Sequence, residues 1–129
     1  MRPADGYWSV AMSYKKRSDE FWDAAELCNS NDLYAAAASR FYYGLFLAVC
    51  GFFVTKKGFD PNPSNVHSRL LTKLKEEEPD GKRDARVFRE FKDIRVDADY
   101  AKAEVYKIDL TERSKADAVR QKYLKKMVG

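Results

Sequence analysis

Residues 34–54, YAAAASRFYYGLFLAVCGFFV, are almost entirely apolar, yet they carry an arginine, Arg40, inside a helical pattern. A surface helix has a broad polar face, which this segment lacks, so neighbouring helices must cover it on more than one side. A bilayer span needs ~20 apolar residues without a charge. Here the uninterrupted apolar run covers only residues 41–54. The pattern therefore predicts the central helix of a bundle and no membrane span.

The size and composition of the chain predict one globular domain over residues 1–129. A chain of this length can bury ~68% of its unfolded surface without disulfides or metals. Cys28 and Cys50 stand in helical patterns with no C-x-x-C, so we expect small buried side chains and neither a metal nor a cofactor. The first residues lack the apolar stretch of a signal peptide, which predicts a cytoplasmic protein.

The first half of the chain shows two helical patterns. Apolar residues recur at spacings of three and four over residues 7–28, which predicts a first helix, with a possible break near Arg17. Asn31 or Asp32 is expected to cap the second helix, because their side chains can accept hydrogen bonds from free backbone N–H groups. Gly58 is expected to end it.

A third helix is predicted after the loop FDPNP, with Asn62 as its cap and Pro63 in its first position. The acidic run at residues 76–80 lies at the C-terminal end of that helix, where negative charge is unfavourable for the helix dipole. We therefore expect the helix to fray there into a solvated tip.

Two further helices complete the predicted fold. The fourth lies within residues 82–103, and the fifth begins near Asp109 or Thr111 after a connector of some extended character. No segment alternates in the manner of a strand, so we predict an all-α, antiparallel up-and-down bundle of four to five helices. The outer face of the fifth helix would carry Arg113, Lys115, Arg120, Lys122, Lys125 and Lys126.

Small residues form a stripe on the second helix: Ala37, Gly44, Ala48 and Gly51. Glycine inside a helix costs ~1 kcal/mol relative to alanine, which a close helix–helix approach can offset. The stripe predicts either a tight crossing within the chain or the seam of a homodimer.

A polar group on the second and fourth helices is the first candidate site. Arg40 and Tyr43 need polar partners when they are buried. Arg95 and Asp99 lie one turn apart on the fourth helix, where they could pair with each other or across to Arg40. His67, on the third helix, is the only histidine and the only side chain whose ordinary pKa suits acid–base chemistry near neutrality.

Three motifs together give the sequence a family resemblance. They are AAASRFYYGLF at residues 36–46, His67-Ser68, and RVDADY at residues 95–100. Their order and spacing over roughly residues 20–127 resemble HEPN-domain proteins, in particular the small prokaryotic branch with S-R-x-Y-Y-x-x-F and R-x-x-A-D-Y helices. The resemblance implies a helical bundle that dimerises, often beside a small nucleotidyltransferase partner.

Many HEPN proteins are metal-independent endoribonuclease toxins that use an arginine followed four to six residues later by a histidine. Arg95 would correspond to that arginine, and Tyr100 occupies the place of the histidine. Lys102 replaces a tyrosine that some members carry, and Leu47 stands where relatives of this branch often have histidine.

Three functional hypotheses follow from the residues and the resemblance. The first is a homodimeric module of a toxin–antitoxin or stress/defence pair, which binds a nucleotide or RNA phosphate or docks a nucleotidyltransferase. The second is an endoribonuclease in which Arg95 stabilises charge and His67 or Tyr100 transfers protons. The third is a purely structural interaction domain. The expected ligand-binding residues are Arg40, Tyr43, Arg95 and Asp99.

Overall fold

A computed structural model describes residues 5–101 and 104–129, with side chains from residue 7 onward. Its five helices are α1 (Asp5–Ser30), α2 (Tyr34–Lys57), α3 (Val66–Glu77), α4 (Gly81–Tyr100) and α5 (Leu110–Val128). No strand occurs in the described residues. The predicted all-α bundle is confirmed, with five helices.

Helix α2 is the centre of the bundle, and α1, α4 and α5 all pack against it. It contributes thirteen buried residues, among them Phe41, Tyr42, Leu45 and Phe53, each with no exposed surface. By length and composition α2 could cross a membrane, but 72% of its most apolar window is buried within the protein. Core helices of soluble proteins pass the same test, so α2 is weak evidence for a membrane span.

Helices α1 and α2 run antiparallel, and the small-residue stripe lets them approach closely. Ser18 Oγ donates a 2.7 Å hydrogen bond to the backbone oxygen of Gly44. A Cβ at Gly44 would lie 3.3 Å from that same serine's carbonyl oxygen, and one at Gly51 would lie 2.7 Å from Tyr14. The stripe is therefore an intrachain crossing. A homodimer seam along these two glycines is excluded, because α1 covers them.

Several predicted helix ends are wrong. Helix α1 is continuous past Arg17. The residue preceding α2 is Leu33, with no side-chain cap, while Asp32 adopts a positive φ of 64° in the turn before it. The predicted start of α3 at Pro63 is also wrong, since α3 begins at Val66. Asn62 donates its N–H to Asp60 Oδ1 and thus stabilises the preceding loop.

The turn between α3 and α4 is compact. Helix α3 packs mainly on α4 and contacts α2 at few places. Gly81, at the start of α4, is buried and lies directly against the backbone of Leu74. The expected solvated tip is only partly correct. Glu78 has a side chain 4% exposed, and its Oε1 lies 2.9 Å from Lys126 Nζ on α5.

Asn29 fastens the connector that precedes α5. Its amide nitrogen donates to the carbonyl oxygen of Ile108 at 3.2 Å, and its amide oxygen accepts from the N–H of Ile108 at 3.3 Å. Both residues are buried. Asp109 then caps α5 by accepting from the N–H of Glu112 at 2.9 Å, which confirms the predicted start of this helix.

Arg120 was expected on the solvated face of α5, and this is wrong, because its side chain is 5% exposed. Its guanidinium lies 2.7 Å from Asp19 and 2.8 Å from Asp117, and it packs over the ring of Trp22. Burial acts to raise the pKa of Asp19, but hydrogen bonds from Lys15 and Arg120 hold this pKa below its ordinary value. Arg120 is therefore a structural link between α1 and α5.

Candidate functional site

Arg95 organises a group of side chains that we call the arginine cluster: Tyr42, Tyr43, His67, Arg95 and Asp99. One guanidinium nitrogen of Arg95 donates to the Tyr43 hydroxyl at 3.0 Å. The Nε lies 2.8 Å from Asp99 Oδ2, but its N–H is not aligned on that oxygen, so the contact is an ion pair without a directed hydrogen bond. The guanidinium carbon also lies 5.3 Å from the centre of the Tyr43 ring and 6.0 Å from that of Tyr42.

His67 joins this cluster through Tyr42. The Tyr42 hydroxyl forms a short hydrogen bond with His67 Nδ1. The imidazole packs against two aromatic rings of α2, with its centre 4.6 Å from that of Phe46 and 5.5 Å from that of Tyr42. His67 and Arg95 therefore both contact Tyr42.

The surroundings of His67 favour its neutral form. Burial is the main cause of its lowered pKa, and the positive charges of Arg95 and Lys92 act in the same direction. Burial raises the pKa of Tyr42, so its hydroxyl keeps its proton. A proton on Tyr42 that is donated to Nδ1 satisfies the hydroxyl of buried Tyr42 and one ring nitrogen of half-buried His67. His67 then carries its own proton on Nε2, and Nδ1 is already occupied.

We expect the stability of the protein to fall as the pH drops from about 7 to about 5.5. The pKa of His67 lies lower in the folded state than its unfolded value of ~6.5, so the unfolded chain binds the proton first. The stabilisation that the folded state gains from neutral His67 is complete above the unfolded pKa of ~6.5. It is lost as the pH falls towards the folded pKa. Thermal unfolding at the two pH values would measure it.

The matched variant is His67→Gln, which offers Tyr42 an acceptor but does not titrate. Its melting temperature is expected to change less than that of the wild type between the same pH values. An equal change in both proteins would show that another group causes the loss.

A groove beside the arginine cluster, the α1–α2 groove, has a volume of about 370 Å³. Tyr43, Leu47 and half-buried Arg40 are among the residues that line it. Arg40 Nη1 donates to the carbonyl oxygen of Ala36 at 3.3 Å. The remaining lining residues are Arg17, Phe21, Ser39 and Phe46.

The predicted site residues are therefore only partly assembled. Tyr43, Arg95, Asp99 and His67 come together. The expectation that Arg40 faces Arg95 and Asp99 is wrong, because its hydrogen bond is to its own helix and it forms no ion pair with a described carboxylate. Tyr100 is 69% exposed at the end of α4, and no described contact joins it to Arg95.

Leu47 is buried in the wall of the α1–α2 groove. Lys102 lies outside the described residues. Within the described chain, no group of His, Cys, Asp and Glu side chains could hold a metal ion.

Sequence reasoning missed the part that α1 plays in the groove. Arg17 and Phe21 are four residues apart and so share one face of α1. Phe21 falls within the apolar repeat predicted over residues 7–28, and its ring lies 5.9 Å from that of Tyr43. The i, i+4 spacing was the available signal for a shared face. It indicates a groove only once α1 is known to lie along α2.

The comparisons with known proteins agree with this fold. No curated protein and no solved structure matches the chain. A model of the HEPN domain matches residues 11–123, which includes α2, α3 and α4 together with most of α1 and α5. Because this match covers most of the sequence, the chain belongs to the HEPN domain family.

Proposed function

We propose that this protein is a HEPN module that binds the phosphate of a nucleotide or of RNA in the α1–α2 groove. The observation that carries the proposal is the pairing of two arginines, Arg17 and Arg40, with the aromatic side chains Phe21, Tyr43 and Phe46 in a single groove. Arginine presents a planar set of donors to a phosphate, and an aromatic ring offers a stacking surface to a base.

The two arginines are available to a ligand. Neither Arg17 nor Arg40 forms an ion pair with a carboxylate among the described residues, whereas Arg113 and Arg120 do. Ser39 adds a hydroxyl to the same groove. An anion entering the groove would therefore gain charge-assisted hydrogen bonds without breaking existing ion pairs.

The arginine cluster adjoins the α1–α2 groove and shares one residue with it. Tyr43 belongs to both, because its ring lines the groove and its hydroxyl accepts a hydrogen bond from Arg95. Arg95 thereby fixes the orientation of the ring and adds positive charge nearby. Asp99 offsets part of that charge and holds the guanidinium in place.

Assembly forms part of the same proposal. A homodimer, a nucleotidyltransferase partner and a place in a cytoplasmic toxin–antitoxin or stress/defence pair are supported by the motif resemblance alone. The dimer would use a surface other than the stripe of Gly44 and Gly51, which α1 covers.

The test is the binding of fluorescently labelled single-stranded RNA and of ATP, measured by anisotropy and calorimetry. We expect Arg40→Ala to weaken binding about tenfold or more, because a hydrogen bond to a charged group contributes roughly 1.5–3 kcal/mol. Arg89→Ala removes the same charge from an exposed position on α4 and is the matched control. Equal losses in the two variants would contradict a site in the groove.

Endoribonuclease activity is the second candidate function, because His67 and Arg95 meet on Tyr42. A neutral histidine beside an arginine resembles the pair that HEPN nucleases use. Its Nδ1 is engaged by Tyr42, so a general base would need the other tautomer and a rearranged hydrogen bond. We therefore rank this function below phosphate binding.

Incubation of the protein with structured RNA in EDTA distinguishes the hypotheses. Cleavage that disappears in Arg95→Ala and in His67→Ala supports the nuclease. Binding without cleavage supports the phosphate-binding module. If neither RNA nor nucleotide binds, and Arg95→Ala only lowers the melting temperature, the arginine cluster is purely structural.

A further inference from the structure

A second groove, the α4–α5 groove, lies on the outside of the bundle and has a volume of about 540 Å³. It exists because α4 and α5 both pack on α2 but touch each other at few places. Its floor is aliphatic, formed by half-buried Val87, exposed Ala118 and buried Val119. Four cationic side chains stand around this floor: Arg83, Arg86, Lys115 and Lys122.

The carboxylates in this groove leave it positively charged. Asp84 is buried and accepts a hydrogen bond from Tyr123 at 2.6 Å, while Lys122 Nζ lies 2.5 Å from the same oxygen. Lys122 therefore neutralises Asp84. Glu90 is exposed on the α4 side and is the other carboxylate that lines the groove.

The remaining cations are weakly engaged. Arg83 lies 3.3 Å from Asp80, with both side chains more than half exposed. Lys115 lies 3.5 Å from Glu112, also near the surface. Arg86 forms no ion pair with a carboxylate in the described part of the chain. Exposed pairs of this kind contribute less than about 1 kcal/mol, so a ligand can replace them.

We propose that the α4–α5 groove docks an acidic amphipathic helix of a protein partner. Aliphatic residues at i, i+3 and i+4 on that helix would rest on Val87, Ala118 and Val119, as in other helix-in-groove complexes. Its flanking Asp and Glu side chains would meet Arg83, Arg86 and Lys115. This complementarity of charge would also direct the approach of the partner.

The composition of the groove distinguishes a helix from a nucleic acid. Proteins that bind single-stranded nucleic acids combine positive charge with aromatic rings on which bases stack. Among the described residues that line the α4–α5 groove, none is aromatic. The floor is instead aliphatic, and burial of that surface requires an apolar ligand face.

The probe for the test is a labelled helical peptide with leucines at i, i+3, i+4 and i+7 and glutamates elsewhere. A scrambled peptide of identical composition removes the apolar stripe but keeps the charge. We expect the striped peptide to bind in the micromolar range and the scrambled peptide at least tenfold more weakly.

Two variants distinguish docking from general electrostatic attraction. Arg86→Glu with Lys115→Glu should lower affinity for the striped peptide at least tenfold, while Lys16→Glu with Lys57→Glu, the same charge change on exposed residues elsewhere, should not. Ala118→Arg fills the floor and adds positive charge. Docking predicts weaker binding in this variant, whereas non-specific attraction predicts equal or tighter binding.

Several outcomes would overturn the proposal. They are absence of peptide binding, equal affinity for the scrambled peptide, and unchanged or tighter binding by Ala118→Arg. A single-stranded RNA that binds the wild type and loses affinity in Arg86→Glu with Lys115→Glu, where the striped peptide does not, would assign the groove to RNA. Circular dichroism of each variant checks that the bundle remains folded.

Discussion

Gly81→Ala is expected to destabilise the protein by at least about 3 kcal/mol, at or beyond the upper end of the roughly 1–3 kcal/mol that is typical of overpacking. A Cβ at this position would lie 1.7 Å from the backbone oxygen of Leu74, a distance that no side-chain rotation can relieve. The end of α3 would have to move away from the start of α4. For a domain of this size we expect the melting temperature to fall by roughly 10 °C or more.

Gly58→Ala is the matched control. Gly58 ends α2 with a φ of 66°, and a Cβ there would meet no atom within 4 Å. The change would therefore incur only the left-handed backbone cost of about 1–2 kcal/mol. Chemical denaturation of both variants measures the difference. If Gly58→Ala proves as destabilising as Gly81→Ala, close packing between α3 and α4 is not the reason for the glycine at position 81.

Asn29→Asp is expected to destabilise the protein by about 2–4 kcal/mol near pH 7, although the two side chains are almost identical in shape. The variant loses the donor to the carbonyl oxygen of Ile108 and places a negative charge against it in a buried site. Burial would raise the pKa of the new carboxyl group. Its protonated form could donate to Ile108 again, so the deficit relative to the wild type should shrink as the pH falls to about 5.

Urea denaturation at the two pH values tests this expectation. Asn31→Asp is the control, because Asn31 is exposed just after the end of α1 and its side chain donates only to the carbonyl oxygen of Leu27 in the last turn of that helix. We expect it to lower stability by no more than about 1 kcal/mol, because the new charge lies in water, although it stands at the negative end of the α1 dipole. A deficit in Asn29→Asp that does not respond to pH would mean that the contact with Ile108 is not its cause.

Patterns local to one helix were predictable from the sequence. The inward face of α5, with Ala116, Val119, Tyr123, Leu124 and Met127, is buried as its spacing predicts. The central position of α2 follows from its lack of a polar face. The contact between Tyr43 and Arg95 was also predicted, because two buried polar groups on facing helices need partners.

The failures involve partners that are distant in sequence. Arg120 looks like one more surface cation on α5 until Asp19 and Trp22, a hundred residues earlier, are placed beside it. The Glu78 side chain is likewise shielded from solvent, because Lys126 on α5 pairs with it. Arg40 was expected to face Arg95 and Asp99 because a buried arginine needs a partner, but it lines the α1–α2 groove and donates to its own helix. Periodicity alone cannot fix the rotation of one helix against another.

The sparse contact between α3 and α2 has a consequence for motion. A helix that is held mainly by one neighbour can open locally at a lower free energy than the rest of the bundle. When α3 swings away, His67 leaves Tyr42 and Phe46, and the buried hydroxyl of Tyr42 meets water. The arginine cluster would therefore open from its α3 side and not through the α1–α2 groove. A ligand that contacts His67 would stabilise the position in which α3 is packed on the bundle.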